Sequence, residues 1–304
     1  MKKLHVKNKN GFIITITISC LAIASGVGIG LFLAQSFSSP SVNYDNIDEL
    51  SLEDNVDSLY TRYLKTEKGK ISSSYKPYEI VNIGLMNLKN HSSFRSTDVG
   101  AVLASGITQT IYGTTIKKGS AYFNESISKS AFVKVAKRFY QDNDGIDIYD
   151  GKKVVSEKEA VWKDEVSESL SLVDFESAWG KTFSRPSIYI ISSKTVLDNG
   201  TITKDGTNYV ISLNLDPIKS VVRYVRQMQM MSNLDPKKLP EFYSVQINYV
   251  LNENFEMVSS VVNEKYDVWK FGKHTSKSTI TTTYYYDDSG IPDLNTNCQY
   301  EEVL

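Results

Sequence analysis

The period of the apolar residues changes several times along the chain, and each change marks a different kind of element. Residues 11–34, GFIITITISCLAIASGVGIGLFLA, form one run without a charged residue. At about 1.5 Å per residue, a helix of that length covers the roughly 30 Å hydrocarbon core of a bilayer. Ile47, Leu50, Val56, Leu59, Tyr60 and Tyr63 then recur at mostly helical spacing, which predicts a helix over residues 45–66. A better marked helix follows at 77–91. Pro77 suits its first turn, Tyr78, Val81, Leu85 and Leu88 fall on one face, and Ile80, Ile83 and Met86 widen the apolar arc.

From Phe94 the period becomes two, with Thr, Ile, Tyr, Val and Phe in short runs between turn residues. Residues 107–117, 121–128 and 132–141 read as successive strands. A short strand at 146–149 follows, bracketed by turns at Asp144-Gly145 and Asp150-Gly151. Residues 152–180, with Trp162, Phe175 and Trp179, read as one or two helices laid on the sheet. Strands resume at 187–196 and 209–215, with turns at Asn199-Gly200 and Asp205-Gly206. Asp216 then caps a helix whose stripe is Ile218, Val221, Val222, Val225 and Met228. The C-terminal third carries the clearest alternation, Tyr243, Val245, Ile247, Tyr249 and Leu251, and predicts strands at 242–251, 255–262, 265–271 and 275–286 before a peripheral tail. The fold class is α+β with an antiparallel meander.

Lys2, Lys3, Lys7 and Lys9 precede the apolar run, and the first charge after it is Asp45, which places the N-terminus in the cytoplasm. The expected organisation is a cytoplasmic basic segment (1–10), a transmembrane anchor (11–34), a tether with a stalk helix (35–74) and an extracytoplasmic domain (75–304). Two other fates of the run compete with an anchor. Cleavage would use Ala22 and Ala24, yet apolar sequence continues beyond them. Lipidation would modify Cys20, with Thr17 where a leucine is usual, and would leave a hydrophobic mature N-terminus. All three leave the bulk of the chain outside the cytoplasm.

Charge and cysteine content narrow the partners. Beyond the anchor, 30 of the 34 basic residues face 35 acidic ones, so the external part is negative by about 5 and unsuited to nucleic acid. Cys20 and Cys298 are the chain's 2 cysteines, so no disulfide staples the external domain. Catalytic raw material is scarce. His5, His91 and His274 stand far apart without an H-E-x-x-H pattern, and there is no G-x-S-x-G. Ser126 to Lys129 and Ser73 to Lys76 match S-x-x-K, but S-D-N and K-T-G partners are missing. Asp142, Asp144 and Asp147 cluster near Gly145, yet a calcium-loop register puts Tyr140 and Gly151 where carboxylates are required. Glu157, Glu159, Asp164, Glu165 and Glu168 read as a solvated face. No catalytic, metal or cofactor residue is assigned.

The order of elements, an N-terminal helix, a meander of long strands, an inserted helix and a final tyrosine-rich ladder, resembles the LolA-like lipoprotein-carrier superfamily over residues 75–286. The resemblance extends to its Gram-positive and mycobacterial membrane-attached relatives. It implies a strongly bent antiparallel sheet, an incomplete barrel wrapped around a few helices and enclosing an apolar cavity for acyl chains. On that view the candidate ligand-contacting residues are Val81 and Leu85 on the first helix and Val222, Val225, Met228, Met230 and Met231 on the inserted one, where flexible thioethers adapt to an apolar ligand. The expected role is non-catalytic binding of a lipid or acyl chain by a membrane-attached protein. The alternative is a surface scaffold contacting a membrane partner, cell-wall polymer or sensor.

Overall fold

A computed structural model describes residues 42–131, 134–232, 239–269, 273–287 and 294. The apolar run at 11–34 lies outside the described residues, and no described helix is long and apolar enough to cross a membrane. Among the described residues, twelve strands form an open antiparallel sheet. They are β1 (Ser93–Ala104), β2 (Ile107–Lys118), β3 (Ala121–Lys129), β4 (Lys134–Gln141), β5 (Ile146–Val154), β6 (Ala160–Trp162), β7 (Glu168–Leu170), β8 (Val196–Asp205), β9 (Asn208–Leu215), β10 (Glu241–Leu251), β11 (Met257–Trp269) and β12 (Lys273–Tyr285). Their spatial order is β6-β5-β4-β3-β2-β1-β12-β11-β10-β9-β8, with β7 pairing beside β5. Two meanders are thus joined where the first long strand, β1, pairs antiparallel with the last, β12.

Among the described residues, six α-helices accompany the sheet: α1 (Glu49–Leu52), α2 (Val56–Leu64), α3 (Ile71–Ser74), α4 (Pro77–Asn90), α5 (Leu172–Trp179) and α6 (Val222–Ser232). In place of one helix over residues 45–66 there are short pieces, each restarted by a polar cap. Asp48 accepts from Leu50 N and Asn55 from Ser58 N. These pieces pack on the domain: Tyr44 and Leu52 are buried, and Tyr44 Oη donates to Pro240 O at 2.9 Å. Helix α4 begins at Pro77 as expected, with Glu79 reaching back to Lys76 N at 2.8 Å, and buries Ile80, Val81, Ile83, Leu85 and Leu88. Asp216 caps a turn that leads into α6.

Several expected boundaries move. Asp150-Gly151 is no turn: β5 runs through it, because Gly151 lies so close to Ala136 that a Cβ there would sit 2.7 Å from the Ala136 side chain. Residues 152–180 accordingly hold the end of β5, two short strands and one helix. Asn199-Gly200 is a bulge inside β8, with Asp198, Asn199 and Gly200 all at positive φ and the register slipping between Leu197 and Thr201. The expected strands 255–262 and 265–271 are one strand, β11, in which Asn263 and Glu264 stay in register with Gln246 and Val245. A bulge between Phe242 and Ser244 turns Phe242 inward and Tyr243 outward, so the alternation read from Tyr243 starts two residues later. Residues 187–196 do not form the expected strand; the stretch 187–192 is buried outside any ladder.

One core cluster joins α4, α5 and α6 to alternate residues of β4, β5, β9, β10 and β11. Phe139, Phe175, Trp179 and Phe183 form its aromatic end, with Phe175 stacked on Trp179 at 5.4 Å and Phe139 edge-on to both. Ile116, Phe123 and Tyr149, on the alternate positions of their strands, form a separate cluster against which Leu294 packs.

Candidate functional site

Connecting segments normally run over the surface, where water satisfies their backbone. Residues 181–183 and 187–192 instead run through the interior, and groups of surrounding elements take the place of water. Phe183 N donates to Gln141 Oε1 at 2.8 Å, Asn82 Nδ2 of α4 donates to Ile191 O at 2.9 Å, and Thr195 Oγ1 donates to Ile190 O at 2.7 Å. Ile190 N donates to Ser220 O just ahead of α6. The sequence Ile188 to Ile191 is apolar enough to look like a strand, but with these partners supplied by side chains it does not need a ladder.

Between this segment, α4 and residues 53–57 lies a cleft of about 440 Å³, open to solvent on one side. Its walls differ in character. Val56, Leu85, Met86, Ile190 and Ile191 give an apolar surface, while Lys89, Arg185 and Arg223 face Glu53, Asp54, Asp57 and Glu176. Arg223 is buried and shared: its Nε meets Glu49 at 3.1 Å and its Nη2 meets Glu53. Arg185 reaches Glu53 through Nη1 and Glu176 through Nη2, both at 2.9 Å. Burial works against the charge on Glu53, but the Arg223 and Arg185 guanidiniums outweigh it and hold this carboxyl below its ordinary value.

Part of the sheet is polar where an apolar cavity was expected. One row crosses seven strands as Ser260, Thr282, Asp98, Gly113, Ser126, Lys137 and Asp150, each in register with the next. Thr282 Oγ1 donates to Asp98 Oδ1 at 2.6 Å, and Lys137 pairs with Asp150 at 2.6 Å. The neighbouring row continues from Tyr284 through Ser96, Thr115 and Asn124 before becoming apolar at Phe139 and Ile148. Two ionisable groups are enclosed nearby. Glu264 accepts from Tyr189 Oη at 2.5 Å and Tyr224 Oη at 3.4 Å, and burial pushes its pKa up to about 7 against the hydrogen bonds of Tyr189, Ser278 and Tyr224. Lys181 is fully buried with Nζ donating to Arg185 O at 2.8 Å, and burial pulls its pKa down to about 7 against the field of Asp98.

The residues expected to contact a ligand are not gathered around one space. Val81, Val222, Val225 and Met228 are buried in the main core, Leu85 both joins that core and lines the cleft, and Met230 is exposed. The side chain of Met231 lies outside what is described. Ser126 and Lys129, three apart on β3, point to opposite faces, so the S-x-x-K match does not bring its lysine to its serine. Asp142 Oδ1 accepts from Asp144 N and Gly145 N, as a turn cap does. No group of three His, Cys, Asp or Glu side chains placed to hold a metal occurs among the described residues. Sequence reading missed Arg185, Arg223 and Glu53. Its one available signal was the three-residue spacing of Arg223 and Arg226 inside the apolar stripe of α6, since two cations there require buried partners.

No protein-family model and no curated protein matches the chain. Among solved structures, it is similar to a DUF1329 family protein from Desulfovibrio piger, with 10% identity, 70% of this chain and 92% of that chain covered, and a TM-score of 0.27. It is also similar to an N-terminal dehydratase from a difficidin assembly line, with 8% identity, 68% and 82% coverage and a TM-score of 0.14. Neither likeness is close enough to assign an activity or a ligand to this chain.

Proposed function

We propose that this chain is a non-catalytic, membrane-anchored extracytoplasmic binding protein, and that it holds an amphipathic ligand, a lipid or acyl chain, in the cleft beside α4. The observation that carries the reading is the mixed lining: Leu85, Met86, Ile190 and Ile191 together with Lys89, Arg185 and Arg223, around about 440 Å³. That volume is within the range of small-molecule sites and accepts a headgroup with part of a chain. Of the helix residues expected to contact a ligand, this cleft takes in Leu85, while Val81, Val222, Val225 and Met228 belong to the core.

The carrier-like shape has its own support. Strands β5 and β9 lie eight strand steps apart, about 38 Å if the sheet were flat, yet Ile148 and Leu213 belong to one core cluster. One continuous core across that span is what the proposed bending of the sheet into an incomplete barrel calls for.

Met86 is only half-buried on the cleft side of α4, so Met86→Trp fills the cleft with little effect on the core. The full chain, ejected from neutral detergent for native mass spectrometry, should carry a lipid adduct, and Met86→Trp should lose it while melting within a few degrees of the unmodified chain. Absence of any adduct, together with no binding of a fluorescent fatty acid, would remove the carrier reading and leave a surface scaffold.

A further inference from the structure

The acidic groups of the cleft come mostly from one segment. Glu53, Asp54 and Asp57 belong to residues 53–57, whereas the remaining charged wall residues are Lys89, Arg185, Arg223 and Glu176. Without the side chains of 53–57 those walls are positive by about two charges, so this segment neutralises a basic site. Its contact is also chemically specific. The single oxygen Oε1 of Glu53 accepts from Arg185 Nη1 at 2.9 Å and from Arg223 Nη2, the convergent coordination that two guanidinium forks offer a phosphate or carboxylate.

Glu53 is poorly restrained for a group with two arginine partners. It follows the last residue of α1 in extended conformation (φ −76°, ψ 143°), and its side chain keeps 34% of its surface in water. The arginines are not stranded when it leaves. Arg223 keeps Glu49 on Nε, and Arg185 keeps Glu176 on Nη2 and Nε. The partly exposed Arg185–Glu53 pair contributes little net stability, so an outside anion can compete for Arg185, while the buried Arg223 keeps Glu49 as its counter-charge.

We propose that Arg185 and Arg223 form an anion-binding subsite occupied within the chain by Glu53, and that a phosphate or carboxylate headgroup binds by displacing that side chain. The placing of an apolar tail beside this headgroup rests on the proposed lipid-binding function; the anion subsite itself does not.

The test is calorimetric titration of the full chain in maltoside micelles with inorganic phosphate, hexyl phosphate and the neutral hexyl glyceryl ether. Hexyl phosphate should bind the unmodified chain more tightly than the ether. Glu53→Gln should tighten both phosphates by about tenfold and leave the ether unchanged, and Arg185→Gln should abolish the preference for charge. Equal binding of hexyl phosphate and ether, unmoved by Glu53→Gln, overturns the anion subsite and leaves the amphipathic cleft. Binding of inorganic phosphate with no gain from the hexyl chain overturns the amphipathic reading and leaves the subsite. No binding of any of the three overturns both. Should Glu53→Gln melt early, the Arg185 Nε resonance of the unmodified chain decides: it moves on addition of hexyl phosphate, or the proposal fails.

Discussion

Replacing Glu264 by Gln should make the protein more stable above neutral pH while changing little below pH 4.5. Glu264 is enclosed by Tyr189 and Tyr224, and its pKa stands at about 7 against an ordinary 4.5. Between those values the folded chain keeps a proton that the unfolded chain has released. Stability therefore falls as pH rises from 4.5 to 7, then levels off. At about 1.4 kcal/mol for each pH unit of that gap, the loss is ~3 kcal/mol, and Gln, which keeps the shape and still accepts from a tyrosine, does not suffer it. Lys181 acts in the opposite sense. Its pKa is about 7 against an ordinary 10.5, so the unfolded chain binds the extra proton across that window, and stability rises from pH 7 to 10.5 by up to ~5 kcal/mol. These two groups together place a trough at neutral pH.

The assay is urea unfolding at intervals from pH 4.5 to 10.5, followed by tryptophan emission; Trp179, buried against Phe139 and Phe175, reports on the main core. Burial also lowers the pKa of His274, which opposes the acid limb, so the informative quantity is the difference between each variant and the unmodified chain. The Glu264→Gln difference should grow from pH 4.5 to 7 and stay flat above. The Lys181→Met difference should shrink from pH 7 to 10.5. A Glu264→Gln variant that loses stability equally at pH 5 and pH 8 would show that the carboxyl is ionised and usefully paired throughout, and would refute the reasoning.

Gly180→Ala should destabilise by about 3 kcal/mol or more in the same urea assay, because Gly180 ends α5 at φ 82° and an added Cβ would stand 2.2 Å from the carbonyl oxygen of Arg223. A loss below about 1 kcal/mol would mean that α5 and α6 do not meet that closely. Protease added to intact protoplasts should remove everything beyond the apolar run at 11–34 and leave a small membrane fragment; protection of the whole chain would refute the proposed orientation.

The parts of the fold legible in the sequence are those where one physical cause acts alone. Pro77 and the three-and-four spacing from Tyr78 to Leu88 fix α4, and alternation with tight turns fixes β2, β3 and β9 within about a residue. The reading fails where tertiary contact reverses a local signal. Asp150-Gly151 has turn chemistry, but the glycine serves the close approach of Ala136. Asn263-Glu264 looks like a break between strands, because a charged pair in a β run suggests solvent, while Val245 and Ser278 pair across it and two tyrosines from other elements enclose the carboxyl.

These failures share a cause with the candidate site. Residues 181–183 and 187–192 lie buried without a ladder, so the elements around them must carry hydrogen-bonding groups: Asn82 inside the apolar arc of α4, Gln141 on β4, and Glu264 where Tyr189 reaches β11. A polar residue at such a position reads as a flaw in the periodicity until the buried segment is seen. The same segment comes nearer the surface at residues 184–186, which places the partly exposed Arg185 in the cleft beside the buried Arg223. Arg223, buried on α6, cannot be left without a counter-charge. Glu49 and Glu53 supply it from residues that sequence alone assigned to a stalk. The stretch that sequence alone assigned to a stalk therefore forms one wall of the site, and any ligand that takes Arg185 from Glu53 competes with a carboxylate of the chain itself.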